Sequence, residues 1–78
     1  MTFLVRPRTP LHQAQLHARA LRAWHDAEQV VRSRWDTYLV ADRASRRDAF
    51  AAYVAALDGD AAAAGELARA HAGLAEAA

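Results

Sequence analysis

His17, His25 and Glu28 are the residues of this chain whose types and spacing come closest to a reactive set. Two imidazoles and a carboxylate can bind a metal ion or relay a proton, and steps of eight and eleven residues bring all three within about a quarter turn on an α-helix. The two histidines nonetheless stand two helical turns apart, whereas a helical pair that shares one ion stands four residues apart, as in His-Glu-x-x-His. A metal site would need ligands from a second subunit, so the expectation is no metal, with the histidines serving structure or an interface. Interface histidines would weaken an assembly as pH falls through their titration range.

Nucleophilic chemistry has little to work with. There is no cysteine, and the hydroxyls of Thr2, Thr9, Ser33, Thr37, Ser45 and the tyrosines lie in no Gly-x-Ser-x-Gly elbow. No glycine-rich phosphate loop is present. The expectation is a protein that is not an enzyme, with no cofactor and no small-molecule substrate.

Arg32, Arg34, Arg43, Arg46 and Arg47 form the densest basic patch. The planar guanidinium suits phosphate because it donates two parallel hydrogen bonds, so these five residues are the candidate nucleic-acid contacts. Asp36, Asp42 and Asp48 are interleaved with them, and no segment has the polar recognition helix of a helix-turn-helix. Nucleic acid is therefore the second reading of function, behind protein–protein association.

The elements that must position these residues are helical. From Leu11 to Asp58 the chain runs 48 residues without glycine or proline, in a protein of 78. Ala, Leu, Arg, Gln and Glu, all strong helix formers, fill the run. Thr9-Pro10 opens it, since threonine can accept from a free N–H of the first turn and proline at the first helical position gives up an N–H that has no partner. Phe3-Leu4-Val5 followed by Arg6-Pro7-Arg8 reads as an extended arm over residues 1–9, with residues 10–78 as one helical domain.

Within the long run, Leu21, Trp24, Val31, Trp35 and Tyr38 recur at about 100° per residue, the signature of an amphipathic helix. Asp42 and Arg46 interrupt that stripe. Ser45 with Asp48 three residues on resembles a capping box, which predicts a helix break in the polar stretch 42–48. The expected architecture is all-α: a long amphipathic helix from about Pro10 to Asp42, then a two-helix hairpin, together a small three-helix bundle. Its second helix, Arg46 to about Leu57, would bury Phe50, Tyr53, Val54 and Leu57. Asp58-Gly59-Asp60 would end it, and a third helix would run from Ala61 to about Glu76. The alternative is one helix of about 48 residues, some 72 Å long, with a short folded-back helix in a coiled-coil-like oligomer.

Composition sets the stability. Of 42 apolar residues 22 are alanine, leaving eight leucines, five valines and six aromatics as the main means of excluding water. A core that small scarcely offsets chain entropy, so a second chain would help. In the three-helix arrangement the front of the first helix, around Leu16, Leu21 and Trp24, stays uncovered. The expected protein interface is Leu16, Leu21, Trp24, Val31, Trp35 and Tyr38, and the expected partner is a second copy, as a homodimer, or another protein.

Charge divides the chain. Residues 1–47 carry nine Arg against four acidic residues, and residues 48–78 carry Arg69 against five. The two halves are expected to fold against each other or to pair head to tail between subunits. All ten basic residues are arginine, and lysine, isoleucine and asparagine are absent, a composition that high-GC codons of a bacterium or its phages would produce. No stretch reaches the ~20 apolar residues of a membrane span, and Met1 to Arg6 does not read as a signal peptide, so the expected location is cytoplasmic with no membrane partner.

Overall fold

The structure, a computed structural model, describes residues 9–77. Two helices account for nearly all of it: α1, Pro10–Val40, and α2, Arg46–Ala77. They pack against each other as an antiparallel hairpin, and no strand occurs among the described residues. The arm expected over residues 1–9 lies outside the described residues, apart from Thr9.

Thr9 starts α1 as its sequence position implies. Its backbone is extended, its hydroxyl accepts from the His12 N–H at 3.0 Å, and Pro10 follows at the first helical position. The helix stops at Val40 without a glycine, because Ala41 takes an extended conformation at φ −68° and ψ 138° while its N–H still bonds the Tyr38 carbonyl. Residues 41–45 form the turn, and no described residue has positive φ. The single long helix is thus broken in the polar stretch.

The cap that starts α2 is displaced from its expected place. The Asp42 carboxylate accepts from the Ser45 N–H at 2.9 Å, and the Asp42 carbonyl accepts from the same N–H at 3.2 Å. Aspartate and serine both cap, and both offer spacing of three to the next polar residue, so Asp42 with Ser45 takes the role expected of Ser45 with Asp48. The backbone ladder begins where the Ala49 N–H meets the Ser45 carbonyl at 2.9 Å.

The third helix does not exist as a separate element. Asp58-Gly59-Asp60 passes through the middle of α2 in helical conformation, and Gly59 has no positive φ. A mid-helix glycine costs about 1 kcal/mol relative to alanine. Continuing the helix instead sets Ala63, Leu67, Ala70 and Leu74 along the first half of α1, a non-local gain that outweighs the local stop signal. At 31 and 32 residues the helices match in length, so the front of α1 is covered rather than left open.

Register follows from the turn. His17 meets His71, Glu28 meets Asp60, Trp35 meets Tyr53 and Tyr38 meets Phe50, each step up one helix matched by an equal step down the other. The hairpin therefore folds about Ala44. The halves of opposite charge do lie side by side, yet the ion pair formed among the described residues is Glu66–Arg69 at 2.8 Å, within α2 itself.

A pair of helices encloses almost nothing. Ala49, 9% exposed, and Gln13, 2% exposed, are the buried residues among those described. Facing α1, α2 presents mainly alanine at Ala49, Ala52, Ala56, Ala63 and Ala70, small positions against the half-buried Trp24, Val31 and Tyr38 of α1. This corrects the expectation that Phe50, Val54 and Leu57 are buried: they are 47%, 39% and 39% exposed, because one neighbouring helix hides only one side of α2.

Candidate interaction surface

Four aromatic rings close the hairpin next to the turn. Trp35 lies 5.4 Å from Tyr38 and 5.0 Å from Tyr53, and Phe50 lies 5.4 Å from Tyr38 and 6.2 Å from Tyr53, all between ring centroids and all tilted. Two rings come from each helix, so the cluster is the main tie across the closed end. Trp35 and Tyr38 were legible as stripe residues; that Phe50 and Tyr53 complete a ring with them depends on register.

The six expected interface residues divide. Leu16, Trp24, Val31 and Tyr38 are half-buried on the side of α1 that meets α2, whereas Leu21 and Trp35 remain 36% and 40% exposed. Leu16 lines a groove with Gln13, Ala20 and Ala70, and Leu21 lines another with Leu67, Ala68 and His71. Much of the stripe is thus engaged within the hairpin.

On α2, Phe50, Val54 and Leu57 lie within about 60° of one another at 100° per residue. Ala61, Ala64 and Ala68 continue the row at alternating steps of four and three. On α1, Leu21, Trp35 and Leu39, the last 61% exposed, share one flank. The groove containing Leu21, Ala64 and Ala68 joins the two rows into one side of the hairpin. Compared with protein-family models, curated proteins and solved structures, the chain matches none. Function has to be argued from this surface.

The histidine constellation disperses. His17 stacks across the hairpin on His71 at 5.7 Å, His25 stacks on Trp24 of its own helix at 5.3 Å, and Glu28 faces Asp60 of α2. No group of three His, Cys, Asp or Glu able to hold a metal ion occurs among the described residues. No described helix is long and apolar enough to cross a membrane.

Glu28 and Asp60 are a like-charged pair between the helices. The hydrogen bond to Asp60 raises the Glu28 pKa above its ordinary 4.5, followed by partial desolvation and the Asp60 charge, against weaker opposing fields from Arg32 and His25. With both groups ionised neither can donate, and Asp60 Oδ1 is buried with no donor other than a protonated Glu28 to meet it. Protonated Glu28 supplies the missing donor. A folded-state pKa above the unfolded value means that this contribution to stability is fully present below pH 4.5 and is lost as pH rises through the higher folded value. Asp42 works the other way: the Ser45 hydrogen bonds lower its pKa, so its contribution is present above 3.8 and fails only under stronger acid. Glu28→Gln keeps a donor at every pH. Its melting temperature, followed by circular dichroism, is expected to exceed that of the wild type at pH 7 and to match it near pH 4.5; an equal difference at both values would show that the pair carries no such linkage.

The arginines gather at the closed end only in part. Arg43 sits in the turn and Arg46 and Arg47 in the first turn of α2, while Arg32 and Arg34, two residues apart on α1, point to opposite flanks.

Proposed function

We propose that this chain is a non-enzymatic helical interaction module, which acts by presenting apolar and aromatic side chains to another helical surface. The observation that carries this reading is the row Phe50, Val54 and Leu57, 39–47% exposed on a helix whose other side is already packed. A two-helix hairpin cannot cover both sides of its own helices, and exposed apolar rows of this kind mark association surfaces. The expected cytoplasmic location and the absence of a substrate belong to the same reading.

The test is association measured by sedimentation at about 0.05 M and about 1 M NaCl, with Val54→Glu/Leu57→Glu as the variant. Apolar association persists at high salt, whereas phosphate-driven binding falls steeply. The expected outcome is a complex that survives salt and is lost in the variant, whose far-ultraviolet spectrum stays helical. Equal association by variant and wild type would place the interface elsewhere.

One observation favours a second reading. Arg46 and Arg47 occupy the first turn of α2, where the helix dipole disfavours cations. With Arg43 they set three cations around the turn, against Asp48 in the same first turn and Asp42, whose carboxylate is already engaged by Ser45. A residue held against a local preference is a candidate for function, here as a contact to nucleic-acid phosphate. Titration of mixed DNA against salt, with Arg43→Ala/Arg46→Ala/Arg47→Ala, separates this reading from the first.

A further inference from the structure

We infer that the exposed flank of α2 that carries Phe50, Val54 and Leu57 is a self-complementary seam, on which a second copy of this chain docks antiparallel. This rests on the reading of the chain as an interaction module and names its partner. The seam repeats at alternating steps of four and three, the spacing of a coiled-coil contact, from Phe50 through Val54 and Leu57 to Ala61, Ala64 and Ala68. Its first half is large and exposed, and its second half is small.

That gradient identifies the occupant. Against a parallel copy, large residues would meet large at one end and alanine would meet alanine at the other, so the helix axes would splay. Against an antiparallel copy the two largest residues of the row, Phe50 and Leu57, each meet an alanine. Phe50 faces Ala75 of the second copy, Val54 faces His71, Leu57 faces Ala68, and Ala61 faces Ala64 beside the dyad. An interface in which residue i meets j while j meets i is the isologous contact of a two-fold dimer.

Charge selects this register over its neighbour. Sliding the pair by seven residues would set Leu57 against Ala61, and would also bring each Asp58 beside its counterpart and each Asp60 beside its own. In the longer register Asp58 lies near Gly65 and Asp60 near Leu67. No charged residue enters the seam, since the Asp60 carboxylate is turned toward Glu28. The overlap from Phe50 to Ala75 is about 39 Å, and a helix contact about 10 Å wide would bury roughly 800 Å² in total, below the roughly 1,200–2,000 Å² of stable specific interfaces and in the range of weak, transient association. The dimer therefore dissociates on dilution.

The chain has no cysteine, which makes the register directly testable. Leu57→Cys and Ala68→Cys are prepared separately and oxidised with oxidised glutathione, alone and as an equal mixture, while the wild type is weighed by sedimentation over a dilution series. The expected result is a wild-type mass that rises to twice that of one chain with concentration. A disulfide-linked dimer should form at least tenfold faster in the mixture than in either variant alone. Self-linking of each variant would show a parallel pair and overturn the inference. Faster linking of Leu57→Cys with Ala61→Cys would overturn the register. A wild type that stays monomeric would overturn the self-docking while leaving a foreign partner for the module, which the Val54→Glu/Leu57→Glu comparison tests separately.

Discussion

Trp35→Ala is expected to destabilise the hairpin by about 2–3 kcal/mol and to leave much of the population unfolded at moderate temperature. Truncating a buried large aromatic to alanine costs about 3–5 kcal/mol, and Trp35 is 40% exposed, which lowers the figure. The loss is still large because Trp35 holds two rings at once, Tyr38 on its own helix at 5.4 Å and Tyr53 on α2 at 5.0 Å. Removing it opens a four-membered ring of aromatics and leaves Phe50 as the one further link between Tyr38 and Tyr53. Trp35→Phe, which keeps a ring in place, should cost about 1 kcal/mol or less. Urea unfolding followed by circular dichroism measures both. A small helical protein of this size has about 3–5 kcal/mol in hand, so the alanine variant should lose most of its cooperative transition. Near-equal midpoints for the two variants would show that the ring cluster does not tie the helices.

The helical class, the Thr9-Pro10 start and a break between residues 40 and 46 were legible in the sequence because each depends on residues close together in the chain. A threonine before a proline, a run free of glycine and a polar interruption of the stripe all act within one or two turns. Asp58-Gly59-Asp60 carries just as clear a local message, and it misleads. Its preference for stopping amounts to about 1 kcal/mol, while the burial gained by running on to Ala77 involves α1 residues roughly thirty to sixty positions away in the chain. The same distance hid Glu28 from Asp60 and Gln13 from Gly73, pairs that can be named only once the turn is centred on Ala44. The exposed row of α2 is legible in the sequence: Phe50, Val54, Leu57, Ala61, Ala64 and Ala68 keep steps of four and three straight through Gly59. That continuity was the sign that the glycine does not break the helix.

The glycines turn this into an energetic test. Gly59→Ala and Gly65→Ala, combined, are expected to stabilise the hairpin by about 2 kcal/mol, since each removes the cost of about 1 kcal/mol that glycine carries inside a helix. A Cβ at Gly59 meets nothing within 4 Å, and one at Gly65 meets only the Arg69 guanidinium at 3.7 Å, an ordinary contact. In a domain of this length the pair should raise the melting temperature by about 8–16 °C. Gly73→Ala has the same propensity gain and the opposite expected sign. Its Cβ would lie 2.5 Å from Gln13 Oε1 and 3.3 Å from Gln13 Cδ, so the Gln13 side chain, 2% exposed and packed between the helices, has to be displaced to admit it. Had Gly59 marked the end of a helix with positive φ, Gly59→Ala alone would destabilise instead. A rise for Gly59→Ala with a fall for Gly73→Ala is therefore the combination that only a continuous α2, closely packed on α1 near its C-terminal end, produces.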